Sequence, residues 1–438
     1  MPACSFKGLA GAAAHMMIRD ETRIALAADL NEDTRRKQVC TIWEGAMQKL
    51  LIGVAGLALA LTGANSAIAQ SSVKIGMINE YSGQFADTGN MIDYGLRLYM
   101  KQHGDTVAGN KIEVIRKDTG GMAPDVSKRL AQELVVRDNA DIFGGFSLTP
   151  NALAAADVSA EAKKFMVVMN AATSIITTKS PYIARTSSTT PQLNYTLGQW
   201  AAKNGIKTVY TMVSDYGPGI DAETWFQNGF KEGGGTIVGS VRFPIANPDF
   251  SAFVQAAKDK NPDAIYIWIP GGAQPAAVGK ALAERGIDPA KTKILGQDAL
   301  GADTALQSMG DASIGIITVA DYDYTHKSAM NQEFVKAFND EFHRNPDFFA
   351  VGGYDGAHLI YAALEKADGK ADGDSLIAAA KGMSWESPRG PISIDPETRD
   401  IVQTVYIRRV DKIGGVLQNV EFDSVLAVKD PAKARMNK

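Results

Sequence analysis

Cysteine is almost absent from this chain: its 438 residues carry two, Cys4 and Cys40, both near the start. A disulfide framework or a thiolate metal site is thereby excluded for everything after residue 40. Histidine is scarce too, and His103, His326, His343 and His358 stand apart, in neither an H-E-x-x-H nor another metal-ligand spacing. Each reads as structural, and no metal or other cofactor is expected. Charge of one sign is also missing as a block: 45 Lys and Arg are interspersed with 49 Asp and Glu, for a formal net charge of -4. No basic stripe follows the chain, so a nucleic-acid partner is not expected. Nor does any apolar run beyond residue 69 reach the ~18 residues that a membrane-spanning helix needs.

One short apolar run is present. Met47-Gln48-Lys49 leads into Leu50–Leu61 and then into small residues ending Ala67-Ile68-Ala69. A basic start, a short apolar stretch and an A-x-A ending read as a secretory signal over residues 47–69, with cleavage leaving Gln70 first. Residues 1–46 form a polar mixture that includes Arg19, Asp20, Glu21, Arg35, Arg36 and Lys37. They read as an upstream segment, with translation expected to start at Met47. The exported chain would then hold no cysteine and no lipid acceptor, and is expected to diffuse as a monomer in the periplasm.

From Ser72 onward, strand-like and helix-like segments alternate. Strands are predicted at Val73–Ile78, Lys111–Arg116, Asp141–Phe143, Phe165–Met169, Thr208–Val213, Thr236–Phe243, Ala264–Trp268, Lys293–Leu295 and Ile314–Val319. Amphipathic helices are predicted between them, at Gly89–Gln102, Pro124–Val136, Asp221–Lys231, Phe250–Lys258 and Gln274–Arg285. Such alternation predicts an α/β fold of mainly parallel sheets flanked by helices. One sheet of that width would be unusual, so two lobes are expected. Chain crossings are expected at Arg185–Pro191, at Ala320–Tyr324 and within Ser387–Arg399, where Pro388, Gly390, Pro391 and Pro396 interrupt regular structure. The expected division is 71–188 with 320–394 in the first lobe and 189–319 with 395–438 in the second.

In open α/β sheets, ligands collect where strand ends lead into helix N-termini. That rule selects Ser147-Leu148-Thr149 after the third strand, with Thr149 expected to cap a helix opened by Pro150. It also selects Asn170-Ala171-Ala172-Thr173 after the fourth strand, where small residues beside polar ones suit a ligand pocket. Phe85, in the loop after the first strand, could cover an apolar group. The Ser147–Thr149 loop is equally readable as simple capping, and the Asn170–Thr173 loop is slightly more readable as an ordinary strand-to-helix turn. Asp298 could receive an ammonium, although a solvated loop aspartate is the commoner case. Gly217-Pro218-Gly219-Ile220-Asp221-Ala222 matches G-x-G-x-x-A, yet no acidic residue follows at the end of the next strand to hold a ribose, so a helix-starting turn is favoured. Gly145-Phe146-Ser147-Leu148-Thr149 lacks the second glycine of a nucleophile elbow.

Across Ser72–Val420 the chain resembles the branched-chain amino-acid-binding family of periplasmic proteins that serve ABC transporters. The resemblance is carried by Val73-Lys74-Ile75-Gly76 with Tyr81-Ser82-Gly83, by Asn170-Ala171-Ala172-Thr173 and by Val213-Ser214-Asp215-Tyr216-Gly217. It implies the type I periplasmic-binding-protein fold, two lobes joined by a three-crossing hinge. It implies that the loops at Ser147–Thr149 and Ala171–Thr173 hold the ligand's carboxylate. It further implies that the second lobe closes with Tyr216 and with Pro270 and Gly271. Asn170 stands where the family has Pro, and Asp298 stands where leucine, isoleucine and valine binders have a longer acid. Phe85, Tyr216 and Phe349 could supply stacking faces.

These residues give a binding protein rather than an enzyme, since no acid–base pair or nucleophile is recognisable. The expected role is capture of a branched-chain amino acid or related small carboxylate by hinge closure, with delivery to an ABC transporter permease in the inner membrane. Aromatic carboxylates or amides are the alternative ligands. An exported sensor domain is the alternative class.

Overall fold

A computed structural model describes residues 71–436, apart from 247, 272 and the side chain of Thr304. The stretch read as a secretory signal, residues 47–69, and the stretch before it lie outside the described residues. The first sheet contains β1 (Ser72–Asn79), β2 (Thr106–Val107), β3 (Asn110–Asp118), β4 (Ile142–Gly145), β5 (Phe165–Val168) and β6 (Ile183–Arg185), in the order β2-β3-β1-β4-β5-β6. All its pairings are parallel except the small β2–β3 hairpin. Helices α1 (Ala86–His103), α2 (Pro124–Val136) and α3 (Thr149–Ala162) connect these strands. Alternation along β1 sends Ile75 and Met77 into one apolar core and Ile78 into another, so both faces of the sheet are covered.

The second sheet begins with β7 (Thr208–Ser214), β8 (Thr236–Phe243), β9 (Ala264–Trp268), β10 (Lys293–Gln297) and β11 (Ile317–Ala320). They alternate with α4 (Thr190–Lys203), α5 (Gly217–Glu232), α6 (Phe250–Asp259), α7 (Gln274–Glu284) and α8 (Asp303–Met309). Ile265 and Ile267 of β9 face one core while Ala264, Tyr266 and Trp268 face the other. After β11, helices α9 (Ala329–Phe342), α10 (Phe348–Lys366) and α11 (Gly373–Ala380) return to the first lobe, where α10 buries Ala350, Val351 and Leu359 in its core.

The chain then re-enters the second sheet through β12 (Ser384–Ser387), β13 (Gly390–Ile394), β14 (Ile401–Ile413) and β15 (Val416–Val428), ending in α12 (Pro431–Met436). Here the sequence reading needs correction. The stretch Ser387–Arg399 was expected to be irregular, but β12 and β13 form an antiparallel hairpin in which Pro391 pairs opposite Glu386. A proline is tolerated there because the pairing of β13 with β14 begins only at Ser393, so the missing N–H of Pro391 takes no bond from that side. The β14–β15 hairpin turns through Gly414 and Gly415, both with positive φ (59° and 85°) as a two-residue turn of this kind requires.

The segments that join the lobes meet at one side chain. Arg389, 1% exposed, donates from Nη1 to Asp321 at 2.6 Å and to Gln403 at 3.1 Å. Its Nη2 donates to the Thr186 carbonyl at 2.8 Å and to Asp355 at 2.6 Å. One guanidinium therefore ties the segment after β6, the segment after β11, the first residues of β14 and the first lobe's α10.

Candidate functional site

The strand ends of the two sheets face each other across a gap of about 590 Å³. On the first-lobe side, Gly145 and Phe146 have positive φ (99° and 67°), which for a buried phenylalanine is uncommon. This turn redirects the chain after β4 and presents Ser147, Leu148 and Thr149 to the gap. The expected capping by Thr149 is corrected: Leu148 occupies the cap position, Thr149 is already helical, and no side chain caps α3. The helix therefore starts with free N–H groups and its positive dipole end at the gap, a ready anion site. Ser147 is 3% exposed, and its hydroxyl has no partner among the described residues. A buried hydroxyl in that state is a donor awaiting an acceptor.

The second predicted loop is split by the structure. Asn170 and Ala172 line the gap, and Asn170 Nδ2 donates to the Ser147 carbonyl at 2.7 Å, locking the two loops together. Ala171 is instead packed in the core, its N–H on the Phe146 carbonyl at 2.9 Å. Thr173 turns away from the gap, its hydroxyl 3.3 Å from that of Thr149. Arg185, fully buried, donates to the carbonyls of Ala171 and Thr173 at 3.0 and 2.8 Å.

The opposing wall is aromatic. Tyr216 stands at the start of α5 and lies 5.8 Å from the Trp268 ring, centroid to centroid. Trp268, at the end of β9, was read only as the last residue of a strand, although the strand-end rule also points to it. Its indole is fixed by a polar chain: Trp268 Nε1 donates to Gln297 Oε1 at 2.7 Å, Asn194 Nδ2 to the same oxygen at 2.8 Å, and Tyr266 OH to Asn194 Oδ1 at 2.6 Å. Phe85 and Phe349 complete the apolar lining from the first lobe, with Phe348 and Thr88, which the sequence did not single out.

Pro270 and Gly271 line the gap from the second lobe. A Cβ at Gly271 would lie 3.0 Å from Phe349 Cζ and 3.1 Å from Thr88 Cγ2, so the lobes touch across the cleft here. Asp298 is not the solvated loop residue that the sequence favoured: it is 4% exposed, and Oδ1 accepts from the Ala299 N–H at 2.7 Å. Burial, with the nearby charge of Asp321, pushes its pKa up to about 7 against the opposing pull of Arg408. The glycine-rich Gly217–Ala222 stretch opens α5, and a Cβ at Gly219 would sit 2.0 Å from the Ser214 carbonyl. Close helix–strand packing accounts for that glycine. Among the described residues, no group of His, Cys, Asp and Glu is arranged to hold a metal ion.

Comparison with known proteins meets this geometry. The family model described as periplasmic binding protein matches residues 72–415. A relative from Brucella melitensis named Leu/Ile/Val-binding protein homolog 6 is 38% identical over 384 residues, covering 87% of this chain and 98% of the relative. Two solved ABC-transporter solute-binding proteins share the fold. One, from Rhodopseudomonas palustris BisB5 in complex with 3,4-dihydroxybenzoic acid, is 55% identical with a TM-score of 0.80, over 83% of this chain and 99% of that one. The other, from Rhodopseudomonas palustris HaA2 in complex with p-hydroxybenzoic acid, is 39% identical with a TM-score of 0.81, over 83% and 100%. Two hinged α/β sheets, strand ends facing one gap, and a match that runs through both lobes lead to one conclusion: the chain belongs to the periplasmic binding protein family.

Proposed function

We propose that this protein is the periplasmic capture component of an ABC uptake transporter and that its ligand is an aromatic carboxylate. One observation carries the ligand class. The uncapped start of α3, with the unpartnered Ser147 hydroxyl, faces a slot walled by Tyr216, Trp268, Phe85 and Phe349. Free helix N–H groups and a hydroxyl suit a carboxylate, and opposed aromatic faces suit a flat ring. The two Rhodopseudomonas proteins bound to hydroxylated benzoic acids support the same choice.

Binding follows from the geometry without any chemical step. The carboxylate docks on the first lobe, and the ring then presents a surface on which Tyr216 and Trp268 of the second lobe close. Closure is stabilised only by the contacts that the ligand makes to the second lobe in the shut form. The shut form would dock on a permease. Export through the segment at residues 47–69 belongs to the same proposal.

A branched-chain amino acid is the second reading, favoured by the buried Asp298 carboxyl, which could receive an α-ammonium, and by the name of the Brucella relative. Thermal unfolding with benzoate, 4-hydroxybenzoate, 3,4-dihydroxybenzoate and leucine separates the two. A ligand at about 100 times its Kd adds about 2.7 kcal/mol of stability. A shift with leucine and none with the aromatic acids would overturn the first reading.

A further inference from the structure

The last described helix, α12, stands outside the cleft, and none of its residues lines the gap. It follows β15 of the second sheet, yet its polar side chains reach both lobes. Just before it, Asp430 accepts from the Ser174 hydroxyl through Oδ2 and from the Ala432 N–H at 2.9 Å through Oδ1. Within it, Lys433 Nζ donates to Thr177 Oγ1 at 2.8 Å. Ser174 and Thr177 lie in the turn between β5 and β6, so both of these contacts are made with the first lobe.

Lys433 also ends a buried row of charges. Its Nζ is 3.6 Å from Asp400 Oδ2, and Asp400 Oδ1 is 3.0 Å from Arg185 Nε. Arg185 is the side chain that holds the Ala171 and Thr173 carbonyls. A line of contacts therefore runs from α12 to the loop that brings Asn170 and Ala172 to the cleft. All three charged side chains are buried, where the loss of one partner leaves a charge uncompensated, so this end of α12 is firmly seated.

The other end grips the second lobe. Arg435 Nη2 donates to Glu232 Oε1 at 2.7 Å, and its guanidinium carbon lies 4.8 Å from the centre of the Trp225 ring. Trp225 and Glu232 belong to α5, a rod of about 24 Å that starts beside Tyr216. A hold on the middle and far end of a rigid helix aims its near end. Here the side chains are open to water, 44% exposed for Arg435 and 47% for Glu232. A solvated pair holds weakly, so this is the end that lets go.

We infer that α12 is a clasp across the hinge, with Lys433 and Arg435 as its positioning residues: Lys433 seats the helix on the first lobe, and Arg435 is the releasable contact that draws α5, and Tyr216 with it, toward that lobe. The clasp is made in an arrangement in which Gly271 lies close to Phe349 and Thr88, so it favours a narrow cleft over a wide one. It serves the capture reading above and does not depend on which ligand is captured.

No cysteine follows residue 40, so one label can be attached to each lobe at the cleft mouth through an introduced thiol. The distance between the labels, measured without ligand, is expected to lengthen and broaden in Arg435→Ala. The Kd for 4-hydroxybenzoate is expected to rise about three- to tenfold through faster release, with the urea midpoint unchanged. Arg435→Lys, which keeps a cation beside Trp225, is expected to recover most of both effects. Glu232→Gln, which removes the partner instead, is expected to repeat them in smaller measure. An unaltered distance in Arg435→Ala overturns the clasp. So does a weaker Kd matched by a fall in the urea midpoint, or one that Arg435→Lys does not recover. If 4-hydroxybenzoate does not bind the unaltered protein, the ligand reading fails and the distance alone decides the clasp.

Discussion

The two walls of the cleft share apolar surface but differ in their donors. Phe85 and Phe349 of the first lobe face Tyr216 and Trp268 of the second, while the free start of α3 and the Ser147 hydroxyl come from the first lobe. Polar groups that recognise a charge lose most when misplaced, and Asn170 and Arg185 hold those of the first lobe rigid. Aromatic faces tolerate sliding, which suits a wall that arrives by rotation. Under the function proposed above, the difference would give binding an order, carboxylate first and ring cover second.

The contrast can be broken most severely where the lobes are joined. Removing the charge of Arg389, as in Arg389→Met, strands the buried Asp321 and Asp355, each at most 3% exposed on its side chain. Loss of about 3–5 kcal/mol is expected in urea unfolding. An unchanged urea midpoint would show that the lobes do not depend on this tie. On the second wall, Tyr216→Ala removes an aromatic cover worth about 1.5–3 kcal/mol, so the Kd for 4-hydroxybenzoate should rise about ten- to a hundredfold, mainly through faster release. On the first wall, Ser147→Ala deletes one hydrogen bond to a charged group, about 1.5 kcal/mol, or about tenfold in Kd. Because Ser147 Oγ has no partner among the described residues, the same variant should unfold at the wild-type urea midpoint. A matching loss of stability would mean that the hydroxyl serves the fold instead.

Acidity gives one probe per lobe. Glu80 in the first lobe is raised by burial from 4.5 to about 7, despite hydrogen bonds from Asn151 and Thr119, and Asp298 in the second is raised from 3.8 to about 7. Between about pH 4 and about pH 7 the folded chain thus holds protons that the unfolded chain releases. These two groups make stability fall as pH rises through that window. Glu80→Gln should flatten the slope, read as the difference in urea midpoint between about pH 5 and about pH 8. A slope that is unaltered would assign the pH dependence to other groups.

Much of this architecture was legible in periodicity. Pro124–Val136, Thr236–Phe243 and Ala264–Trp268 form the elements predicted, with the same bounds. What escaped was structure whose pattern is weak. β15 exposes Phe422, Val425 and Leu426, so the alternation that marks a half-buried strand is blurred, although the Gly414-Gly415 turn signal was present. Within Arg185–Pro191, a run of Ser and Thr read as a loop conceals the capping box that starts α4, Thr189 with Gln192. In the site, strand-end position found the polar loops. Local sequence could not reveal that Ala171 and Thr173 turn away, because Arg185 fixes them from another element, nor that Asp298 is buried, because its surroundings come from Asp321 and Arg408 far along the chain.

At Gly271 there is little more than a hydrogen's worth of clearance, and any side chain there must push Phe349 or Thr88 aside. A substitution at this one position acts as a doorstop. Gly271→Val would prop the protein ajar without altering a single group proposed to grip the carboxylate, and a dye placed at the cleft mouth would then report how much of the affinity comes from latching rather than from docking.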